Sequence, residues 1–149
     1  MPYLIDGNNL IGAYPFLEQG TLQSREFIIR RLLNFHRLTG KRIILVFDGA
    51  PHASSHRWEI SPRNFTILFP SFGESADDVI KRNLRPGVVL VSSDRELVEE
   101  ARKRKLRRIG VRDFARILEK FQRQHREKPE WKPTPQEIEA WLKIFGEKS

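Results

Sequence analysis

Three short apolar runs in this chain each close on an aspartate. Tyr3-Leu4-Ile5 ends on Asp6, Ile43-Ile44-Leu45-Val46-Phe47 ends on Asp48, and Val88-Val89-Leu90-Val91 ends, after Ser92-Ser93, on Asp94. A further acidic group, Glu74, Asp77 and Asp78, opens an amphipathic stretch. Neighbouring strands lie roughly 4.8 Å apart, and carboxylates about 4 Å apart repel by about 4 kcal/mol per pair at an effective dielectric near 20. A divalent cation is the simplest relief. An all-oxygen donor set suits Mg²⁺ or Mn²⁺ rather than zinc. Such an ion lowers the pKa of a water and steadies the charge of a phosphate, which is the chemistry of phosphodiester hydrolysis.

Competing chemistries lack their residues. The chain has no cysteine, which removes disulfides, thiolate zinc sites and a thiol nucleophile, and it contains no Gly-x-Ser-x-Gly. The Gly-rich phosphate loops are absent, and His36, His52, His56 and His125 are scattered without zinc spacing. Two residues after Asp6 stands Asn8, so the second aspartate of an Asp-x-Asp phosphatase is missing.

The elements that must position these aspartates follow from the apolar pattern. The three runs are β-branched or aromatic and bounded by turn residues, as strands buried on both faces of a parallel sheet are. Parallel strands share a carboxyl edge, so Asp6, Asp48 and Asp94 are expected together where open α/β sheets bind ligands. After Asp6-Gly7-Asn8-Asn9 a short helix is expected before Pro15, capped by Asn8 or Asn9. Residues 23–38 repeat their apolar positions at helical period and end at Gly40, giving a strand, helix, strand unit. Residues 49–64 show no period and read as a loop, in which Trp58 and His56 among Arg57 and Arg63 either stack on unpaired bases or, for Trp58, plug the sheet edge. A strand at 65–69 follows, then a helix capped by Ser75 with Asp77 and Asp78 in its first turn, where the macrodipole also favours them. A strand near 108–111 precedes a helix that throws Arg112, Arg116, Lys120 and Arg123 outward. Residues 122–133 read as a polar, Pro-punctuated linker, and 134–149 as a helix opened by Thr134-Pro135-Gln136-Glu137, a capping box. That last helix either packs back or docks a partner.

The 149 residues suit one domain with an appendage, and the net charge is +8. The excess is local: residues 1–101 hold 12 basic against 12 acidic side chains, whereas 102–128 hold 12 against 3. Basic charge so concentrated is the footprint of a phosphate backbone, although part of it also complements helix C-termini. No apolar stretch has the length of a membrane span and the start lacks a signal-peptide pattern, so a cytoplasmic protein is expected.

Asp6-Gly7-Asn8-Asn9, Phe47-Asp48-Gly49, Glu74-Ser75-Ala76-Asp77-Asp78-Val79-Ile80 and Val91-Ser92-Ser93-Asp94, in this order, resemble the NYN branch of the PIN-like nucleases, and within it the YacP-like bacterial group, which includes a ribosome-associated endoribonuclease. The resemblance covers about residues 2–121; the Ser/His/Arg-rich segment 50–63 departs from it. It implies a three-layer α/β/α PIN-like fold with a central, mostly parallel sheet near the 3-2-1-4-5 order over residues 1–121, to which the sequence pattern adds a C-terminal helical appendage. It implies Mg²⁺- or Mn²⁺-dependent cleavage of single-stranded RNA, with Asp6 and Asp77 as principal ligands, Asp94 as a third, and Asp48 and Asp78 in support. Asn9 would orient the Asp6 carboxylate or a water, with Glu74, Asn8 and Ser93 in the outer shell. RNA would contact His56, Arg57, Trp58, Arg63, Arg112, Arg116 and Lys120. The competing expectation is a non-catalytic RNA- or ribosome-binding module on the same fold.

Overall fold

The structure is a computed structural model and describes residues 1–49, 57–71 and 73–126. His56, most of the expected 122–133 linker and the 134–149 helix lie outside the described residues. The elements in chain order are β1 (Tyr3–Asp6), α1 (Gly7–Ile11), α2 (Leu22–Thr39), β2 (Ile43–Val46), β3 (Arg57–Ser61), β4 (Phe65–Leu68), α3 (Ala76–Arg82), β5 (Val89–Val91), α4 (Arg95–Lys103), β6 (Arg107–Ile109) and α5 (Val111–Arg126).

They build one six-stranded sheet of order β3-β4-β2-β1-β5-β6. Every pairing is parallel except β3 with β4. Numbered in chain order, the five parallel strands lie 3-2-1-4-5, and β3 adds an antiparallel edge. Alternate strand residues serve opposite faces. Ile5, Leu45, Ile67 and Val91 join the core beneath α1, α2 and α5, while Leu4, Val46 and Leu90 join the core beneath α3 and α4. Helices on both faces make the three layers. Each fully buried Leu, Ile or Phe contributes about 1.5–3 kcal/mol against leaving it in water.

The helix boundaries follow local chemistry. Thr21 caps α2 and accepts from the Ser24 amide, and Gly40 ends it in the left-handed region at φ 71°. Gly7, directly after β1, has no room for a side chain: a Cβ there would come within 2.7 Å of the Phe47 ring and the Val46 carbonyl. That contact brings the turn after Asp6 hard against the end of β2.

Three expectations are corrected. Residues 57–61 are not loop but strand β3, with Trp58 opposite Ile67 and half-buried against the core. Residues 122–126, expected as the start of the linker, continue α5 to Arg126, and Asn34 donates to the Phe121 carbonyl beneath it. Neither asparagine caps α1; its N-cap is Asp6 itself.

Candidate active site

The carboxyl edge of the sheet gathers the ends of β1, β2 and β5 and the starts of α1, α3 and α4. Asp6 is the last residue of β1 and only 7% exposed. Its Oδ1 accepts from the Asn9 amide at 3.4 Å, and its Oδ2 accepts from Ser92 Oγ at 3.1 Å. Burial pushes its pKa up from 3.8 to about 6, against the lowering effect of those two donors, and the negative charges of Asp77 and Asp94 push it further. Asp77, in the first turn of α3, is also raised, by burial first and then by Asp94 and Glu96, with Lys81 opposing. Asp6, Asp77 and Asp94 thus share one field although they come from three separate segments.

Asp94 caps α4, its Oδ1 accepting from the Glu96 and Leu97 amides at 3.0 and 3.2 Å. Asn9 holds the loop before it: its Oδ1 accepts from the Ser93 amide at 2.6 Å. Ser93 Oγ in turn accepts from the Val111 amide at the start of α5, at 3.0 Å. The Asn8 side chain faces the other way, its Oδ1 accepting from the Asp48 amide at 2.9 Å. The two asparagines therefore tie α1 to β5 on one side and to the end of β2 on the other.

Three acidic residues expected near an ion have other engagements. Asp48 is exposed and ion-paired with Arg25 at 3.1 Å. Asp78 closes the capping box with Ser75, accepting from the Ser75 amide at 3.0 Å, and those hydrogen bonds lower its pKa. Glu74 accepts from the Ser71 amide at 2.9 Å and is ion-paired with Arg82. Among the described residues, no three His, Cys, Asp or Glu side chains stand close enough to grip an ion jointly.

The residue that sequence reasoning missed is Ser92. It is 1% exposed, donates to Asp6, and accepts from the Asp94 amide at 3.1 Å, so one hydroxyl joins the two aspartates. Its signal was a small polar residue at the end of a buried strand, two places before an aspartate. Of the expected RNA contacts, Arg112, Arg116 and Lys120 are exposed along α5. Arg57 is ion-paired with Glu59, and Arg63 is an exposed turn residue at φ 67° whose carbonyl accepts from Arg42. No helix among the described residues is long and apolar enough to cross a membrane.

Comparison with known proteins agrees with the fold. The model of the YacP-like NYN domain matches residues 3–143. A protein of Bacillus subtilis (strain 168), "Uncharacterized protein YacP", is 30% identical over 83 residues, which are 53% of this chain and 48% of that protein, so the match spans about half of the relative's length. The crystal structure of Rae1 (YacP) from Bacillus subtilis superposes with a TM-score of 0.69 at 22% identity, over 86% of this chain and 79% of that one. A Trp-to-Leu mutant of it gives 0.67 at 26% identity, over 97% and 92%. With the family model matching residues 3–143 and the mostly parallel sheet flanked by helices shared with the solved structures, the chain belongs to the YacP-like NYN domain family and has the PIN-like nuclease fold.

Proposed function

We propose that this chain is a Mg²⁺- or Mn²⁺-dependent endoribonuclease that hydrolyses single-stranded RNA, with Asp6, Asp77 and Asp94 as its metal-holding carboxylates. One observation carries the reading: a buried carboxylate, Asp6, whose pKa is raised to about 6 and which lies in the field of two further aspartates at the carboxyl edge of a parallel sheet. An unpaired negative cluster of this kind is costly unless a cation balances it. The donor set is all oxygen. Mg²⁺ commonly takes one or two carboxylates and completes its shell with water and substrate phosphate, so the lack of a three-carboxylate grip among the described residues is compatible with it.

A bound ion supplies Lewis acidity toward the scissile phosphate and the attacking water. The chain's own residues hold the geometry. Ser92 and the Asn9 amide fix both oxygens of Asp6, and Ser92 links that carboxylate to the Asp94 backbone. Arg112 and Arg116 give the RNA backbone a cationic surface next to Asn9 and Ser93. Cleavage of a single-stranded RNA should stop in EDTA, return with Mn²⁺, and disappear in Asp6→Asn with the fold intact. Undiminished cleavage in that variant refutes the assignment. Association with the ribosome, which the family resemblance suggests, is checked by co-sedimentation.

The second reading is a non-catalytic RNA- or ribosome-binding module. The dispersed carboxylates favour it. Full RNA affinity in EDTA, with no product from any RNA in Mn²⁺, would select it.

A further inference from the structure

Two clefts run side by side next to the acidic edge. The first, of about 440 Å³, begins at Asn9 and Ser93 and is lined beyond them by Gly110, Arg112 and Arg116. The second, of about 620 Å³, continues past Tyr14 and Pro15 to Glu119 and Arg123. Both are walled by Gly12, Ala13, Arg112 and Arg116, so they form one groove between residues 12–15 and α5.

Its charge is uneven. Arg112, Arg116 and Arg123 stand at intervals of four and seven residues, on one side of α5, rising about 6 Å and then about 10 Å along the axis. Arg112 has no ion-pair partner among the described residues, and Arg116 has only an exposed, 3.4 Å contact with Asp113. The one acid deeper in the groove, Glu119, is neutralised: Arg31 Nε donates to it at 2.7 Å and the Tyr14 hydroxyl at 3.0 Å. A row of arginines along one helix face is suited to the phosphates of a nucleic-acid backbone.

Beside the far end, an aromatic ring faces water. Phe16 is 69% exposed, yet it is not loose, since its ring stands edge-to-face with Phe27 at 5.4 Å and with Tyr14 at 5.8 Å. Phe27 is in turn covered by the Arg31 guanidinium at 4.3 Å. A ring braced on one side and open on the other is a platform for an unpaired base, and a basic groove leading to such a platform is how single strands are held.

We propose that this groove carries an unpaired RNA strand away from the cleavage site, with Arg112, Arg116 and Arg123 on its phosphates and Phe16 stacked on a base, and that Phe16 sets the preference for single strands. The inference rests on the nuclease reading for its direction, but not for its chemistry. A base engaged in a duplex offers no open face to Phe16, whereas phosphates are presented by both forms. The arginines therefore supply affinity and the phenylalanine supplies discrimination.

The test uses the full chain in EDTA, with a fluorescent twelve-residue oligouridylate and a blunt RNA duplex of the same length, titrated at several salt concentrations. Arg112→Glu with Arg116→Glu should weaken both by more than about tenfold and flatten the single-strand salt slope by about 0.7 for each lost phosphate contact. Phe16→Ala should cost about tenfold on the single strand alone, leave the salt slope and the duplex unchanged, and be rescued by Phe16→Trp. Equal loss on both RNAs in Phe16→Ala, no loss in that variant, or an unaltered slope in the arginine pair overturns the proposal; the last two are what a protein occupant of the groove would give. Because binding is read without metal, the two readings fail separately. RNA held as described but never cut in Mn²⁺ sinks the nuclease and keeps the groove, whereas cleavage with unaffected groove variants does the reverse.

Discussion

Asp6 and Asp48 both close apolar runs at the same edge, Asp6 as the last residue of β1, opposite Val46, and Asp48 two residues past the end of β2. Their surroundings are opposite. Asp6 is buried, receives only neutral donors, and feels two like charges, so its ionised form is disfavoured. Asp48 has a side chain 62% exposed and a guanidinium 3.1 Å away, from an Arg25 side chain that is 10% exposed. Arg25 also donates to the Gly49 carbonyl at 2.6 Å and lies over the Phe47 ring at 4.8 Å. The same local signature thus gives one carboxylate whose ionised form is disfavoured and one already paired with a cation. What separates them is two further residues of chain, which bring Asp48 out to solvent, and an arginine from α2, distant in sequence.

The widest gap between the two is expected in variants of the aspartates. Asp6→Asn should lower Mn²⁺-dependent cleavage by more than about a hundredfold, beyond the range typical of residues that only orient a ligand. In EDTA at pH 7 the same change should stabilise the fold by up to about 3 kcal/mol, since a carboxyl held at about 6 instead of 3.8 resists ionisation by that amount. Asp48→Asn should leave cleavage close to the parent and cost about 1 kcal/mol, the partner it takes from Arg25 being largely solvent-exposed. Paired rate and chemical-denaturation measurements check both. Equal losses of rate would erase the distinction.

The contrast also has a pH signature. The folded-state pKa of Asp6 lies above its ordinary value, so between 3.8 and about 6 the folded chain binds more protons than the unfolded one. Its contribution is therefore favourable at low pH and is lost as pH rises through about 6. In EDTA, the difference in unfolding free energy between Asp6→Asn and the parent should grow over that window by about 3 kcal/mol and then level off. Saturating Mg²⁺ should shrink it. A flat difference from pH 4 to 8 would show Asp6 to be solvated and ordinary.

Ser92 is a smaller lever on the same side of the comparison. Ser92→Ala strips a donor from Asp6 and an acceptor from the Asp94 amide, both in a buried position. The expected cost is about 1–3 kcal/mol in stability and about tenfold or more in cleavage rate. Ser92→Thr keeps the hydroxyl and should recover part of the rate, which a purely packing role would not predict.

The parallel core was legible because strands buried on both faces leave continuous apolar runs, and those runs led directly to Asp6 and Asp94. Strand β3 was not, for the opposite reason. An edge strand covered on one face alternates, and in Arg57-Trp58-Glu59-Ile60-Ser61 only Trp58 and Ile60 face inward. Two apolar residues beside Pro62 and Arg63 look like loop. The α2 arginines looked alike by periodicity, yet Arg25 is buried and Arg30 exposed. Which of them meets Asp48 is decided by how α2 lies on the sheet, a tertiary fact. The end of α5 was missed because a surface helix continues through polar residues once its first turns are anchored.

The smallest effect is expected at Asp78, and it is the most exacting check on the ligand set. Asp77 and Asp78 are neighbours in the first turn of α3, both favoured there by the helix dipole, so the local pattern does not separate them and only the family resemblance ranks Asp77 first. The structure does: Asp77 answers to Asp94 and Asp6, whereas Asp78 turns back to accept from the Ser75 amide. Asp78→Ala should lower the melting temperature by no more than about 5 °C, as loss of half a capping box does, and leave Mn²⁺-dependent cleavage unchanged. Asp77→Ala should do the reverse, ending cleavage while leaving the melting temperature near the parent. Loss of cleavage in Asp78→Ala with α3 intact would return Asp78 to the metal. It would also mean that the capping box opens whenever an ion binds.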